Sequence, residues 1–275
     1  MIKADQHTHC SFSTDSDATP ESMVTGAIRK GLTHLTLTDH MDLDYPGTSD
    51  LEPLFEFNPE EYFSTLTPLK EAYADKLNLG IGIELGLRPD RADLNAKMEW
   101  MMKHYSFDFV IGSVHLLDDE DPYYESYWTN RSAKDVLSKY FNDMLSSIRE
   151  YDNFDSLGHL DYIIRYIPSC CGSKDYIYRE YADVLDEIFQ LLIAKNKALE
   201  INTAGLAKGL PCFHPKLKIL QRYLELGGEL ITIGSDAHSP DKLATKFSIT
   251  EELLRSCHLK GYYVYKNRIP EFHTF

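Results

Sequence analysis

The stretch Asp5-Gln6-His7-Thr8-His9-Cys10 ends a short extended run in a His-x-His pair. On a β-strand, residues i and i+2 share a face. His7 and His9 would therefore aim two imidazoles at one point, an arrangement suited to zinc, iron or manganese. Taken alone, the pair is equally an exposed strand end with two solvated rings. Five later stretches give it meaning. Asp39-His40, Glu84, Val114-His115, His159 and Asp236-Ala237-His238 each sit at or just beyond the end of a segment with strand character. The remaining histidines (His34, His104, His214, His258, His273) scatter and are expected to be surface or core residues without a role.

Neutral imidazole binds Zn, Fe or Mn, whereas carboxylates favour the harder ions and can bridge two of them. Six imidazoles with Glu84, Asp236 and the loop residue Asp15 are too many ligands for one ion. The set suits two or three divalent ions, each keeping an open position.

Such ligands can meet only if the chain brings strand ends together. The pattern is strand, loop, helix, repeated. Strands are expected near 2–7, 34–38, 79–85, 107–113, 156–160, 198–202 and 230–235. Helices are expected near 20–30, 59–77, 91–102, 133–151, 178–195, 215–226 and 250–259, with a short last strand at 262–265 before the tail. Thr19-Pro20 reads as an N-cap with a first-turn proline, and Gly31 as the stop. Seven βα units in about 240 residues suggest a closed α/β barrel, a parallel sheet whose C-terminal strand ends converge on one mouth.

Composition agrees. A chain of 275 residues suits one barrel, here read as a single domain over 1–275, and 43% hydrophobic residues allow a sizeable core. Lys+Arg number 28 against 43 Asp+Glu, a net charge of -15, which argues against a nucleic-acid-coating surface. An anionic small molecule stays open, because bound cations can invert the local field. The five cysteines form no CxxC pair and read as reduced thiols of a cytosolic protein. The absence of an apolar leader or an 18-residue apolar run gives the expectation of no signal peptide and no membrane span.

Taken together, His7-Thr8-His9, Thr38-Asp39-His40, Glu84, Ser113-Val114-His115, Gly158-His159-Leu160-Asp161 and Ser235-Asp236-Ala237-His238 resemble the PHP (polymerase and histidinol phosphatase) family, in the family's order, from residue 5 to residue 238. The resemblance implies a distorted (β/α)7 TIM-like barrel with a trinuclear metal centre. It implies a first metal on His7, His9, Glu84 and Asp236. A second would take bridging Glu84, His115 and His159, and a third Asp15, His40 and His238. Several family members have His in place of Asp15, a departure that bears on the third site. The free-standing length and the segments 158–166 and 200–206 are similar to the monofunctional histidinol-phosphate phosphatases. The implied reaction is hydrolysis of L-histidinol phosphate to L-histidinol and phosphate, a step of histidine biosynthesis, by a hydroxide bridging two metals.

Phosphoryl transfer rests on positioning and charge neutralisation, so protein cations should reach the phosphate: Arg165 first, then Lys208 and Arg88. Asp236 or His238 could shuttle the proton to the leaving group. The substrate's ammonium and imidazole call for acidic and aromatic groups, which the loops 42–57 and 118–128 supply through Asp42, Asp44, Phe57, Asp119, Tyr123 and Trp128. Cys170-Cys171 follows Pro168, away from every strand end, and no catalytic role is expected for it. A metal-dependent amidohydrolase also opens on His-x-His but commonly bridges its metals through a modified lysine on a middle strand; here the middle strands end in Glu84 and His115. Another small phosphomonoester or a nucleotide is the alternative substrate. A decayed, non-catalytic barrel is opposed by the complete ligand set.

Overall fold

The computed structural model describes residues 1–47 and 54–275; residues 48–53, within the stretch expected from the sequence to be a loop, lie outside the described residues. The staves of the sheet are β1 (Ala4–Asp5), β2 (His34–Leu37) with its continuation β3 (His40–Met41), β4 (Asn78–Gly86), β5 (Phe109–Ser113), β6 (Ser156–Leu157), β7 (Ala198–Asn202) and β8 (Ile231–Gly234). They pair in parallel in chain order. The last returns to the first: Gln6 N donates to Ile233 O at 3.1 Å, Asp236 N to His7 O at 2.8 Å and His9 N to Ala237 O at 2.9 Å. The result is the seven-membered barrel that the alternating pattern predicts.

Leu35, Leu37, Ile83, Leu199, Ile201, Ile231 and Ile233 are wholly buried. Apolar runs of this kind mark parallel strands covered on both faces. Truncating one, as in Leu37→Ala, should cost about 2–5 kcal/mol.

The helices that cover the sheet start where the sequence places caps. α1 (Pro20–Arg29) begins with Thr19 accepting from Ser22 N. α2 (Pro59–Ala72) begins with Asn58 accepting from Glu60 N and Glu61 N. Side chains of this type at an N-cap are each worth about 1 kcal/mol. α2 stops five residues before the expected end; Pro68 lies in its last turns and supplies no amide hydrogen there. α3 (Ala92–His104), α4 (Ala133–Glu150), α5 (Ala182–Ala194), the single-turn α6 (Ala204–Ala207), α7 (Leu217–Glu225) and α8 (Phe247–Ser256) complete the set. None of the helices among the described residues is long and apolar enough to cross a membrane.

The expected short last strand is half of a hairpin, β9 (Gly261–Lys266) and β10 (Ile269–Thr274). It covers the end of the barrel opposite the histidines. Gln6 binds it through both ends of its amide, to Tyr263 O at 2.7 Å and from Tyr265 N at 2.7 Å. Tyr265 packs in a small buried cluster with Phe109, Ile111 and Ala198, from the starts of β5 and β7. The loops at the other end are thus left free to build a site.

Candidate metal centre

Register decides who meets whom at the mouth. β3 pairs β4 with His40 opposite Glu84, and β4 pairs β5 with Glu84 opposite Ile111. Glu84 is wholly buried. Its Oε2 lies 3.0 Å from His40 Nδ1, 3.2 Å from His7 Nε2 and 3.6 Å from His9 Nε2. Its Oε1 lies 3.0 Å from His159 Nε2 and 3.3 Å from His115 Nε2. One carboxylate therefore faces five imidazoles. Asp236 Oδ1 stands 3.4 Å from His9 Nε2 and 3.9 Å from His7 Nε2. Asp15 Oδ2 stands 3.0 Å from His238 Nε2 and 3.9 Å from His40 Nε2. All nine expected ligands are in one place. Eight of them form four overlapping triads: His7/His9/Asp236, His7/Glu84/His159, His40/Glu84/His115 and His9/His40/His238; Asp15 stands outside these, beside His238.

The rings are oriented from behind. His7 Nδ1 lies 2.6 Å from Glu200 Oε1, and a carboxylate only accepts, so that nitrogen carries the proton. His115 Nδ1 likewise meets Asp42 Oδ1 at 2.7 Å. His9 Nδ1 lies 3.1 Å from Ser13 Oγ, whose own hydrogen goes to Asp39 Oδ1 at 2.7 Å. His238 Nδ1 donates to the carbonyl of Asp236 at 3.0 Å. In all four, the Nε2 lone pair is left pointing into the cluster.

Lone pairs that face one another in a buried site need a cation or a proton between them. Here His7 Nε2, His9 Nε2, His40 Nδ1, Glu84 Oε2 and His238 Nε2 are all buried without a hydrogen-bond partner. Ligands held tetrahedrally about 2.0–2.2 Å from a shared ion stand roughly 3.3–3.6 Å apart. Most of the distances above lie near that range. The donor set is imidazole and carboxylate, which fits Zn, Mn or Fe. Burial alone would raise the Glu84 carboxyl; His7, His115 and His40 outweigh it and hold the group well below the usual range. Asp236 is held low in the same way against its burial, first by the adjoining His9 ring and then by the charge of His7.

The open side of the cluster is a cavity of about 340 Å³. Asp15, His40, His115, His159, Asp236 and His238 form its floor, and Arg165 and Lys208 also line it. Arg165 follows β6 on the turn Tyr162–Tyr166. Its Nη2 lies 3.6 Å from Asp236 Oδ2, and its Nε and Nη1 are buried without partners. Tyr162 and Tyr166 flank the guanidinium, with ring centroids at 5.1 and 5.6 Å. Tyr45, Phe55, Asp121, Tyr123, Tyr124 and Tyr166 make an acidic, aromatic wall.

Several expectations need correction. Arg88 does not line the cavity. Its guanidinium ties two loops together through Asp119 Oδ1 at 2.6 Å and the carbonyls of Leu43 and Asp44 at 2.8 and 2.5 Å. Asp42 lines the cavity, but one of its oxygens is occupied in orienting His115. Phe57 and Trp128 are core residues, and Asp44 and Asp119 are drawn to Arg91 and Arg88; Tyr45, Phe55 and Asp121 stand in their places on the wall. His214, expected at the surface or in the core, is in the core. It is wholly buried, with Nδ1 2.6 Å from Asp161 Oδ1. Cys170 and Cys171 are free thiols outside the cavity lining.

Sequence reasoning assigned no role to Glu200, Asp39 and Ser13, which orient the rings. Glu200 had one legible signal. It is the carboxylate within the apolar strand Ala198–Asn202, all of whose residues are buried.

A parallel α/β barrel with imidazoles and carboxylates gathered at the C-terminal ends of its strands belongs to the class of barrels built to hold metal ions at the mouth. Within that class the chain belongs to the PHP domain family, whose model matches residues 5–204. It is 34% identical over 258 residues to a Clostridium acetobutylicum protein named "Probable histidinol-phosphatase", covering 93% of this chain and 94% of that one. It is 34% identical over 246 residues to the histidinol-phosphatase of Lactococcus lactis, covering 86% and 85%. The crystal structure of a Lactococcus lactis histidinol phosphate phosphatase, complexed with zinc, L-histidinol and phosphate, matches it with a TM-score of 0.86 at 29% identity over 98% of both chains.

Proposed function

We propose that this chain hydrolyses L-histidinol phosphate to L-histidinol and phosphate, using two or three divalent metal ions held by His7, His9, Asp15, His40, Glu84, His115, His159, Asp236 and His238. The observation that carries the reading is the set of buried, unpartnered ligand atoms around Glu84, opening on a cavity with a cationic side and an acidic, aromatic side. The relatives and the zinc, L-histidinol and phosphate complex named above support the choice of substrate.

Bound divalent ions supply Lewis acidity and lower the pKa of water from about 15.7 towards 7. The chain's own residues do the rest. Glu84, Asp236 and the oriented imidazoles hold the charge cluster rigid, so little reorganisation accompanies reaction. Arg165, with two unpartnered nitrogens, takes phosphate oxygens, and Lys208 adds a second positive charge at the rim. The Asp121 carboxylate receives the ammonium, and the rings of Tyr123, Tyr124 and Tyr166 pack on the imidazole and exclude water. Asp236 already faces His9 and His7, and His238 gives its Nδ1 proton to the Asp236 carbonyl, so proton transfer from His238 to the leaving alkoxide requires an Nε2 that carries no metal. A nucleotide is the second reading, and the acidic wall disfavours it because a neutral nucleoside brings no cation to Asp121.

The test is phosphate release from L-histidinol phosphate by protein stripped with chelator and then reloaded. Activity should vanish on stripping and return with Zn, Mn or Fe. Turnover that survives complete stripping would overturn the reading.

A further inference from the structure

We infer that Glu200, a residue outside the ligand set, is the positioning residue that selects which nitrogen of His7 faces the metals and locks His159 to the same framework. The inference rests on the metal reading above.

Glu200 is buried on β7, and each of its oxygens is committed. Oε1 accepts from His7 Nδ1 at 2.6 Å. Oε2 accepts from the backbone N–H of His159 at 2.6 Å and lies 3.3 Å from Asn202 Nδ2. His7 sits on the first stave and His159 just past the fifth. A single carboxylate therefore ties together two ligands that are 152 positions apart in the chain (159 minus 7). With its proton fixed on Nδ1, His7 presents Nε2 towards Glu84 and Asp236.

A second feature holds the pair from the opposite side. β7 and β8 pair with Glu200 opposite Thr232 and Asn202 opposite Gly234. A Cβ on Gly234 would stand 2.2 Å from His7 Cβ and 2.6 Å from Glu200 Oε1. Gly234 therefore leaves the room in which the His7–Glu200 pair forms. Of the four ligand triads, the two containing His7 or His159 depend on Glu200 directly, whereas His9/His40/His238 and His40/Glu84/His115 contain neither residue.

Glu200→Gln keeps the shape and removes the double acceptor. Its amide nitrogen must face either the His159 N–H, donor against donor, or His7 Nδ1, which moves the proton to Nε2 and blocks the ligating atom. Gly234→Ala removes no polar atom and pushes the same pair apart. Changes behind metal ligands of this kind typically cost about 10- to 100-fold in metal affinity.

The experiment measures zinc affinity and stoichiometry by competition with a chromophoric chelator for the wild type, Glu200→Gln and Gly234→Ala, with melting of each metal-free protein beside it. Both variants should lose about 10- to 100-fold in affinity for part of the bound zinc and keep the rest, with metal-free melting close to the wild type for Glu200→Gln and lowered for Gly234→Ala, whose added Cβ overlaps His7 Cβ. Long-range proton–nitrogen spectra of the zinc-loaded wild type, labelled on histidine, supply a readout that needs no variant to fold. His7 should be protonated at Nδ1 and metallated at Nε2, and metal on Nδ1 would overturn the inference. A wild type that binds zinc, with both variants matching it within about threefold, overturns this inference alone. A wild type that takes up no metal overturns the metal reading and this inference with it.

Discussion

Asp42 accepts a hydrogen bond from Nδ1 of His115 at 2.7 Å, and the absence of a side chain at Gly86 makes room for it. A Cβ on Gly86 would come within 2.0 Å of Asp42 Oδ1. Asp42→Ala should leave His115 free to rotate and lower metal affinity or kcat about 10- to 100-fold. Gly86→Ala should copy that loss from the other partner. The check is metal titration and steady-state kinetics on both variants. Wild-type values in both would show that His115 needs no orienting partner.

Arg165 and Asp236 form the link between the proposed phosphate binder and the ligand cluster, 3.6 Å apart. Charged hydrogen bonds are worth about 1.5–3 kcal/mol each. Arg165→Ala should therefore weaken inhibition by inorganic phosphate on the order of 10- to 100-fold and leave metal content intact. Arg165→Lys should recover part of the loss, since a lysine keeps the charge but not the planar fork.

Glu84 contacts five imidazoles, so its effect should not be confined to one ion. Glu84→Gln should abolish hydrolysis and release metal, measured as metal content per chain after gel filtration. Wild-type turnover and content would sink the shared-carboxylate model.

Metal removal and pH should act together. In the metal-free protein, burial works against a charged His40, but Glu84 and then Asp15 outweigh it and push the ring up to about 9. The ordinary histidine value is about 6.5. The folded value is the higher one, so this group stabilises the metal-free protein fully below about pH 6.5, and the contribution is lost as pH rises through about 9. Metal needs the neutral ring, so the stabilisation due to metal grows over the same window. Each site at 100 times its Kd adds about 2.7 kcal/mol, and a chain of this size gains roughly 2–4 °C per kcal/mol. Melting curves with and without zinc should therefore diverge between pH 6.5 and 9. Parallel curves would contradict the account.

The gathering of these residues was legible because a barrel delivers strand ends to one mouth, so a His, Glu or Asp at a strand end needs no further information to be placed. The partners behind the rings were harder to read. Glu200 and Asp39 sit on or beside strands with no ligand spacing of their own, and their role appears only when the closed barrel brings Glu200 to His7 and Asp39 to Ser13. Arg88 was misread because the carbonyls of Leu43 and Asp44 that hold it are 45 and 44 positions away. The hairpin's second strand was missed for a local reason. Its turn places Asn267 and Arg268 at φ of 50° and 65°, and Arg is a weak signal for a conformation that usually selects Gly. Pro270 in the following strand hides it further.

The most direct test of the central claim is the ratio of kcat/KM for L-histidinol phosphate to that for a panel of other phosphomonoesters and nucleotides, using the metal-loaded protein. The account predicts at least about 10⁴ M⁻¹s⁻¹ for L-histidinol phosphate, far above every other member. Weak and even values across the panel would contradict it and move the substrate to another phosphoester.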